Sequence, residues 1–314
     1  MLLTQLIENV GLVPTISSDG LDALIEGGKA LARSEIDVFE VDAENISPKN
    51  LGLLCAAVSG TEIGISNIKD IIQAKAYTKA GARYVTVFDA DEGFMDQCRK
   101  NNIDFIPVCR REAELERYIN FGVLLVRCEC SRITDTQRFD KIAAGQDVKL
   151  IVASVEEPPK LKRYARNPGI VAMAGPWICP GKWINSGHYD KVAEKAADIV
   201  RDMLGFKIAH VGINAPDESE ASSIACGFSD ILGMPATDFL TSFFVSSLIE
   251  VNKEPGRGAH GHIGIYTNNI NRAVHHIEKR GFKIDTAPLA EGRPGPLYLH
   301  TEVGGFAVHL IQND

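Results

Sequence analysis

Hydrophobic and polar positions along the first two thirds of the chain follow a repeated alternation. Short apolar or β-branched runs recur, and a segment with helical spacing follows each, which is typical of parallel βαβ units. After an amphipathic helix near residues 2–9, the runs are LVPTI at 12–16, IDVFEV at 36–41, TEIGI at 61–65, RYVTVF at 83–88, DFIPVC at 104–108, VLLVRC at 123–128, VKLIVA at 148–153 and GIVAMA at 169–174. Eight such strands predict an α/β fold, a closed (βα)8 TIM barrel.

The pattern changes near residue 205. The long helical segment HYDKVAEKAADIVRDML ends just before Gly205, a residue suited to the left-handed conformation that terminates many helices. Beyond that point strands replace long helices, and seven of the eight histidines lie after residue 206. A chain of 314 residues also exceeds the length at which one hydrophobic core usually stops growing. We therefore expect two domains, at 1–205 and 206–314.

The C-terminal third contains an internal repeat. The strand KIAHVGI at 207–213 has a counterpart in GHIGIYT at 261–267, and a helical segment follows each. The two halves close with β-rich sequence that ends in SSLIEV at 246–251 and in FAVHLI at 306–311. This duplication predicts a smaller α+β module of two paired βαβββ units with a cleft between them. Residues 207–314 resemble the vicinal oxygen chelate superfamily, which includes glyoxalase I.

Composition limits the classes of partner. The chain has 45% hydrophobic and 24% charged residues and no apolar run of membrane-spanning length, as expected for a soluble protein without a membrane partner. A net charge of −8 without a basic stripe argues against nucleic acid. The opening MLLTQLIENVGLVPTI lacks the features of a secretory signal, and the seven cysteines are irregularly spaced. We therefore expect a cytoplasmic protein that binds small molecules.

Four polar residues occupy equivalent positions in the two halves of the repeat. His210 and His262 open the equivalent first strands, while Glu250 and His309 lie at equivalent points of the closing strands. Imidazole and carboxylate ligands suit Zn, Ni, Fe or Mn, and water in the remaining positions would leave room for a bidentate substrate. The sequence thus predicts a divalent metal site at these residues. The resemblance implies a glutamate where His309 stands, so the metal identity stays open, and the alternative is a polar cleft without a metal.

The N-terminal part carries motifs of a known enzyme family. GLVPTI forms strand 1, VFEV carries Glu40, AGARYV opens strand 4, and AGPWICPGKWINSGHYDKV ends the barrel. On these anchors, residues 11–204 resemble the Schiff-base aldolases that cleave ketodeoxyphosphogluconate or ketohydroxyglutarate into pyruvate and an aldehyde. The resemblance implies a small keto acid or sugar acid as substrate, and a homo-oligomer in the form of a barrel-mediated trimer.

The residues that carry the family's chemistry are mostly altered. Where the family has its Schiff-base lysine in strand 6, the chain reads VRCEC at 126–130, with Arg127 at the lysine position. A guanidinium stays protonated and is a poor nucleophile, so Arg127 cannot replace the amine chemically. The phosphate-binding loops are altered as well, with Glu156 and Glu157 after strand 7 and Pro176 after strand 8. Two carboxylates repel a phosphate, and proline has no N–H to donate.

Glu40 and Arg127 allow two interpretations. Both lie toward the C-terminal ends of their strands, where barrel enzymes place catalytic groups. In a catalytic interpretation, Glu40 is a proton-transfer base and Arg127 clamps the carboxylate of a keto acid. In the other interpretation, which we favour, the two residues form a buried ion pair left from a lost active site, because an arginine inside a barrel needs a partner.

Three functions follow from these patterns. The leading hypothesis is a keto-acid or sugar-acid enzyme of the aldolase superfamily that lacks Schiff-base chemistry and uses a metal-dependent lyase or isomerase site in its C-terminal domain. A second is a non-catalytic ligand-binding barrel. A third is an aldolase that uses another lysine; Lys69, just after strand 3, is nearest to the expected active-site face.

Overall fold

The computed structural model describes residues 1–130, 133–154, 161–290 and 295–313. The chain divides into two compact units, Met1–Met203 and Leu204–Asp314. Within the described ranges, no helix is both long and apolar enough to cross a membrane.

The first unit alternates strands and helices. Its strands are β1 (Leu12–Ile16), β2 (Val38–Asp42), β3 (Glu62–Ser66), β4 (Tyr84–Phe88), β5 (Phe105–Cys109), β6 (Leu125–Glu129), β7 (Lys149–Ala153) and β8 (Ile170–Gly175). Its helices are α1 (Leu3–Val10), α2 (Leu21–Arg33), α3 (Pro48–Ala57), α4 (Ile71–Lys79), α5 (Glu92–Lys100), α6 (Glu112–Asn120), α7 (Ile133–Ala143), α8 (Leu161–Arg166), α9 (Gly181–Asn185) and α10 (Tyr189–Leu204). Each strand begins within two residues of its predicted start.

The eight strands of this unit close into a parallel barrel. Each strand pairs with the next in chain order, and β1 pairs with β8, where Leu12 lies opposite Met173. Most strand residues are buried, because helices cover the outside of such a barrel and side chains fill its interior. The predicted closed (βα)8 barrel is confirmed.

The second unit contains a seven-stranded mixed sheet among its described residues. Its strands are β9 (Lys207–Asn214), β10 (Ala236–Asp238), β11 (Ser242–Val245), β12 (Ile249–Asn252), β13 (Gly261–Thr267), β14 (Leu297–Tyr298) and β15 (Phe306–Gln312). Its helices are α11 (Glu218–Leu232), α12 (Ile270–Lys279) and α13 (Ala287–Ala290). The sheet order is β10-β11-β12-β9-β13-β15-β14, so β9 and β13 lie side by side at its centre, and they run antiparallel.

The two halves of this sheet start in the same way. In each half the first strand leads into a helix whose N-cap side chain accepts a hydrogen bond from the first turn: Asp217 for α11 and Asn269 for α12. In each half the last strand then returns parallel to the first, as β12 does beside β9 and β15 beside β13.

The halves differ in the number of strands. β9, α11, β10, β11 and β12 form a βαβββ unit. The described part of the second half has only β14 and β15 after its helices, together with an isolated bridge between Ile284 and Leu299. The predicted α+β sheet is therefore present, and the pairing of two complete βαβββ units stays a proposal.

Candidate functional site

Three histidines and one glutamate converge on the sheet of the second unit. Nε2 of His210 lies 3.0 Å from Nε2 of His262 and 3.3 Å from Nε2 of His309. The Glu250 carboxylate oxygen Oε2 lies 3.0 Å from Nε2 of His262 and 3.4 Å from Nε2 of His210. The fold thus brings together all four residues that the sequence predicts as metal ligands, although each comes from a different strand.

A glycine lies between two members of this cluster, His262 and Glu250, in the strand register. In the strand register, Gly212 on β9 is the neighbour of His262 on β13 and of Glu250 on β12. A side chain at Gly212 would overlap the His262 ring. Only glycine therefore lets that ring extend across β9 toward the carboxylate of Glu250.

A second glycine lies in the same way between the other two members, His210 and His309. Gly264 on β13 is the neighbour of His210 on β9 and of His309 on β15. A Cβ atom at Gly264 would lie 2.7 Å from Cε1 of His210 and 3.0 Å from Nε2 of His309. The repeated His-x-Gly sequence therefore has a spatial reason, because the histidine of each half fills the space left by the glycine of the other half.

Burial and neighbouring charges set the protonation of the cluster. Burial, followed by His262 and His210, lowers the pKa of His309 to about 3. Burial and then His262 lower the pKa of His210, against the opposite effect of Glu250. Burial raises the pKa of the Glu250 carboxyl, but hydrogen bonds from His262 and Ser242 outweigh it, so that this pKa is lowered overall. The shifts favour neutral imidazoles at His210 and His309 and an ionised carboxylate at Glu250, which are the protonation states that metal ligands require.

The spacing of the donor atoms fits a first-row divalent ion. Nitrogen and oxygen ligands lie about 2.0–2.2 Å from such an ion, so neighbouring ligand atoms are roughly 3.0 Å apart in an octahedral site and roughly 3.4 Å apart in a tetrahedral one. Four separations in the cluster are 3.0 to 3.4 Å, and the donor nitrogens of the three histidines all lie within 4.8 Å of one another. The three histidines can therefore share one ion, with the Glu250 carboxylate beside His210 and His262.

The cluster lines a cavity of about 740 Å³, which is within the range of small-molecule sites. Tyr298 and Arg257 also line this cavity. Tyr298 is the register neighbour of His309, and the two rings stack with their centroids 4.9 Å apart. Neither residue is predicted from the sequence, since Tyr298 lies in a two-residue strand and Arg257 lies in the segment between β12 and β13.

Inside the barrel, two side chains hold Glu40. Its Oε2 accepts a hydrogen bond from the Arg127 guanidinium, and its Oε1 accepts one from the Tyr84 hydroxyl at 3.1 Å. Gly64 on β3 lies between Glu40 on β2 and Tyr84 on β4, and the tyrosine ring occupies the space beside this glycine. Glu40 and Arg127 are therefore in contact, and Tyr84 is a third member that the strand pattern did not reveal.

This barrel network is deeply buried, with the Glu40 side chain 1% and the Arg127 side chain 11% exposed. Burial alone would lower the pKa of Arg127, but Glu40, Glu129 and Tyr84 outweigh it and raise that pKa. Burial and then Glu40 raise the pKa of the Tyr84 phenol. Nε of Arg127 and Oγ1 of Thr15 are buried without a hydrogen-bond partner in the described part of the chain. The network thus holds a permanent cation with one unused donor.

The other barrel positions singled out by the sequence lie outside this network. No lysine side chain is buried among the described residues. Lys69 forms an ion pair of 3.0 Å with Glu44, and 70% of its side chain is exposed, so it does not reach the interior. Glu156 and Glu157 lie outside the described residues. Pro176 directly follows β8 at the C-terminal end of the barrel.

The closed parallel barrel and the carboxylate held inside it define the first unit as a TIM-barrel domain. A family model described as KDPG and KHG aldolase matches residues 3–195, which is more than half of the chain. The chain belongs to the KDPG and KHG aldolase family.

Individual relatives have low sequence identity to this chain, but the match covers most of the length of each relative. A 2-dehydro-3-deoxy-phosphogluconate aldolase of Treponema pallidum is 19% identical over 191 residues, which cover 60% of this chain and 91% of that protein. One of Pseudoalteromonas atlantica is 21% identical over 197 residues, which cover 62% of this chain and 92% of that protein. The KDPG aldolase structure of Legionella pneumophila, with pyruvate captured as a covalent carbinolamine intermediate, has a TM-score of 0.56 at 18% identity and covers 63% of this chain and 98% of that chain. At such identity, the structural likeness concerns the fold.

Proposed function

We propose that this aldolase-family protein is a metal-dependent lyase or isomerase that acts on a small keto acid or sugar acid in its second unit. The observation that carries the proposal is the convergence of three imidazole nitrogens within 4.8 Å of one another on one cavity, with a Glu250 carboxylate oxygen 3.0 Å from Nε2 of His262 and 3.4 Å from Nε2 of His210. The resemblance of residues 207–314 to the vicinal oxygen chelate superfamily supports it. Keto-acid chemistry in the family of the first unit supports the substrate class.

His210, Glu250, His262 and His309 would hold the ion, and Zn, Ni, Mn and Fe(II) all accept such a donor set. A bound divalent ion supplies Lewis-acid chemistry toward a carbonyl or enediolate oxygen. The neighbouring residues keep the ligands in place. Tyr298 covers one face of the His309 ring, which shields that side of the cluster from water.

The barrel, in this proposal, makes no imine. The motif VRCEC at 126–130 supports Arg127 as the replacement of the Schiff-base lysine, and a guanidinium does not attack a carbonyl. The contact between Arg127 and Glu40 then neutralises two buried charges, which is a structural role.

A metal titration tests the proposal. Protein purified without chelator is analysed for metals, treated with chelator, and titrated with Zn, Ni, Mn and Fe(II) by calorimetry. We expect one ion per chain for at least one of these metals. If no metal binds in stoichiometric amount, the proposed mechanism is wrong.

A second candidate function, a Schiff-base aldolase in the barrel, is favoured by family membership and by the unused Nε donor of Arg127 beside Glu40. Such a donor suits the carboxylate of a keto acid. Borohydride trapping with pyruvate separates the two candidates. A covalent adduct on the unmodified protein would establish an aldolase that uses another lysine, whereas the metal proposal predicts no adduct.

A further inference from the structure

Among the described residues that line the cavity beside the histidine cluster, one cation has no ion-pair partner. Among its described lining residues, Arg257 is the only arginine or lysine. Its guanidinium forms no ion pair within the described part of the chain, although Glu254 lines the same cavity. An arginine that faces a cavity and has no ion-pair partner in the protein can bind a carboxylate of a ligand.

The backbone on both sides of Arg257 is fixed. The side-chain amide of Asn214 donates to the carbonyl of Gly256 at 3.3 Å and to that of Gly258 at 2.8 Å. Asn252 donates in turn to the Asn214 oxygen at 2.9 Å. These bonds tie the segment before β13 to β9 and β12, so Arg257 is carried on a segment anchored to the sheet.

The side chain of Arg257 is also held. Its Cζ lies 4.4 Å from the centroid of the Tyr298 ring, a cation–π contact. Tyr298 stacks in turn on His309, with the ring centroids 4.9 Å apart and the planes 28° apart. The Tyr298 ring therefore contacts both the guanidinium of Arg257 and the imidazole of His309. This contact holds a positive charge in the same cavity as the cluster.

We propose that Arg257 binds the second carboxylate of a 2-oxo dicarboxylic acid whose oxo-acid end lies at the His210, Glu250, His262 and His309 cluster. This inference rests on the proposed function and names its substrate class. The charges at the Arg257 end of the cavity support a carboxylate rather than a phosphate group: the one guanidinium among the described lining residues balances one negative charge, and Glu254 in the same lining repels the second charge of a phosphate group. The planar fork of arginine pairs with a carboxylate through two parallel hydrogen bonds.

Calorimetry on the metal-loaded full chain tests the inference with two probes. 2-Oxoglutarate has a second carboxylate, whereas 2-oxobutyrate has the same oxo-acid end and a neutral tail. We expect the unmodified protein to bind 2-oxoglutarate at least about tenfold more tightly, because a charge-assisted hydrogen bond contributes that much to affinity. Arg257→Gln should remove this preference and leave the affinity for 2-oxobutyrate unchanged.

Lys283→Gln is the matched control, since it removes one exposed positive charge in the same unit away from the lining residues. It should leave both affinities unchanged. Arg257→Lys keeps the charge without the planar fork and should restore part of the preference. Equal affinities of the unmodified protein for the two probes would overturn the inference, and so would an equal loss of both in Arg257→Gln.

Failure of the metal site is recognised separately. If the metal site is absent, the metal titration shows no stoichiometric binding before any acid is added. This result would contradict both the proposed function and this inference. A protein that binds metal but does not distinguish the two acids overturns only the role of Arg257. Binding of 2-oxoglutarate that persists after chelator treatment, and that Arg257→Gln does not change, would assign that binding to a different site and likewise overturn it.

Discussion

His210 on β9 and Gly264 on β13 are direct neighbours in the antiparallel register, and the imidazole of His210 lies over the glycine. The same relation holds in the opposite direction between His262 and Gly212. Each half of the repeat therefore contributes a histidine ring to the cluster. Each half also contributes a glycine, which leaves space for the histidine ring of the other half. The short motif His-x-Gly is a structural unit only when two copies face each other across the central strand pair.

This relation predicts that Gly264→Ala weakens metal binding. The added methyl would lie 2.7 Å from Cε1 of His210 and 3.0 Å from Nε2 of His309, so both rings must move. Displaced ligand rings cost about 10–100-fold in metal affinity. Gly227→Ala on α11 is the control, since no atom lies within 4 Å of its added methyl. Unchanged affinity in Gly264→Ala, measured by calorimetry, would contradict the proposed ligand geometry.

Single truncations of the ligands should lower metal stoichiometry while the barrel stays folded. We expect this for His210→Ala and for Glu250→Gln, and complete loss for the double variant, because a site with two remaining donors holds a divalent ion poorly. His300→Ala changes an exposed histidine outside the cavity and should bind metal normally. Metal content by elemental analysis gives the result. A double variant that still binds one ion per chain would place the metal elsewhere.

Removing the cation of the barrel ion pair should destabilise the first unit. Arg127→Met leaves Glu40 as a buried charge with only the Tyr84 hydroxyl, and breaking such a pair costs about 3–5 kcal/mol. Adding Glu40→Gln should recover part of this loss, because the amide oxygen still accepts from Tyr84 without a charge.

Tryptophan fluorescence during urea unfolding measures this effect in the first unit. The chain has two tryptophans, Trp177 and Trp183, and both belong to the barrel unit. The signal therefore follows barrel unfolding without a contribution from the second unit. If the double variant is less stable than Arg127→Met, the buried charge is not the cause of the loss.

Arg127→Lys should introduce weak imine formation with pyruvate. The new amine would lie on β6 near the Glu40 carboxylate, which favours its protonated form and limits its nucleophilicity. Borohydride trapping followed by intact mass measurement should show a minor adduct in this variant and none in the unmodified protein. An adduct of equal yield in both proteins would show that another lysine reacts.

The barrel should bind phosphorylated keto acids only weakly. Glu156 and Glu157 follow β7, where the resembled aldolases hold a phosphate, and carboxylates repel a phosphate dianion. Calorimetry on metal-free protein isolates the barrel from the histidine cluster. Micromolar affinity for 2-dehydro-3-deoxy-6-phosphogluconate would refute this expectation.

The strands and helices of the barrel and the four candidate ligands can be predicted from local sequence patterns. Apolar runs of five or six residues between helical segments place all eight barrel strands, because buried parallel strands leave a strong and local hydrophobic pattern. The repeat places His210, Glu250, His262 and His309 at corresponding positions, since duplicated units fold alike. Each signal can be recognised within short segments: the apolar runs within single strands, and the repeat by comparison of two short motifs.

The side-chain contacts of Tyr84 and Arg257 could not be predicted from the sequence and depend on the folded structure. Tyr84 reaches Glu40 across Gly64, and Arg257 lies on Tyr298, which lies on His309; strand register and ring packing create each of these contacts. Tyr84 looks in the sequence like an ordinary core aromatic, and Arg257 looks like a solvated arginine between two strands. The local sequence pattern indicates burial and periodicity. A binding site depends on distances between residues far apart in the chain, and these distances are fixed only when the strands pair in the folded sheet.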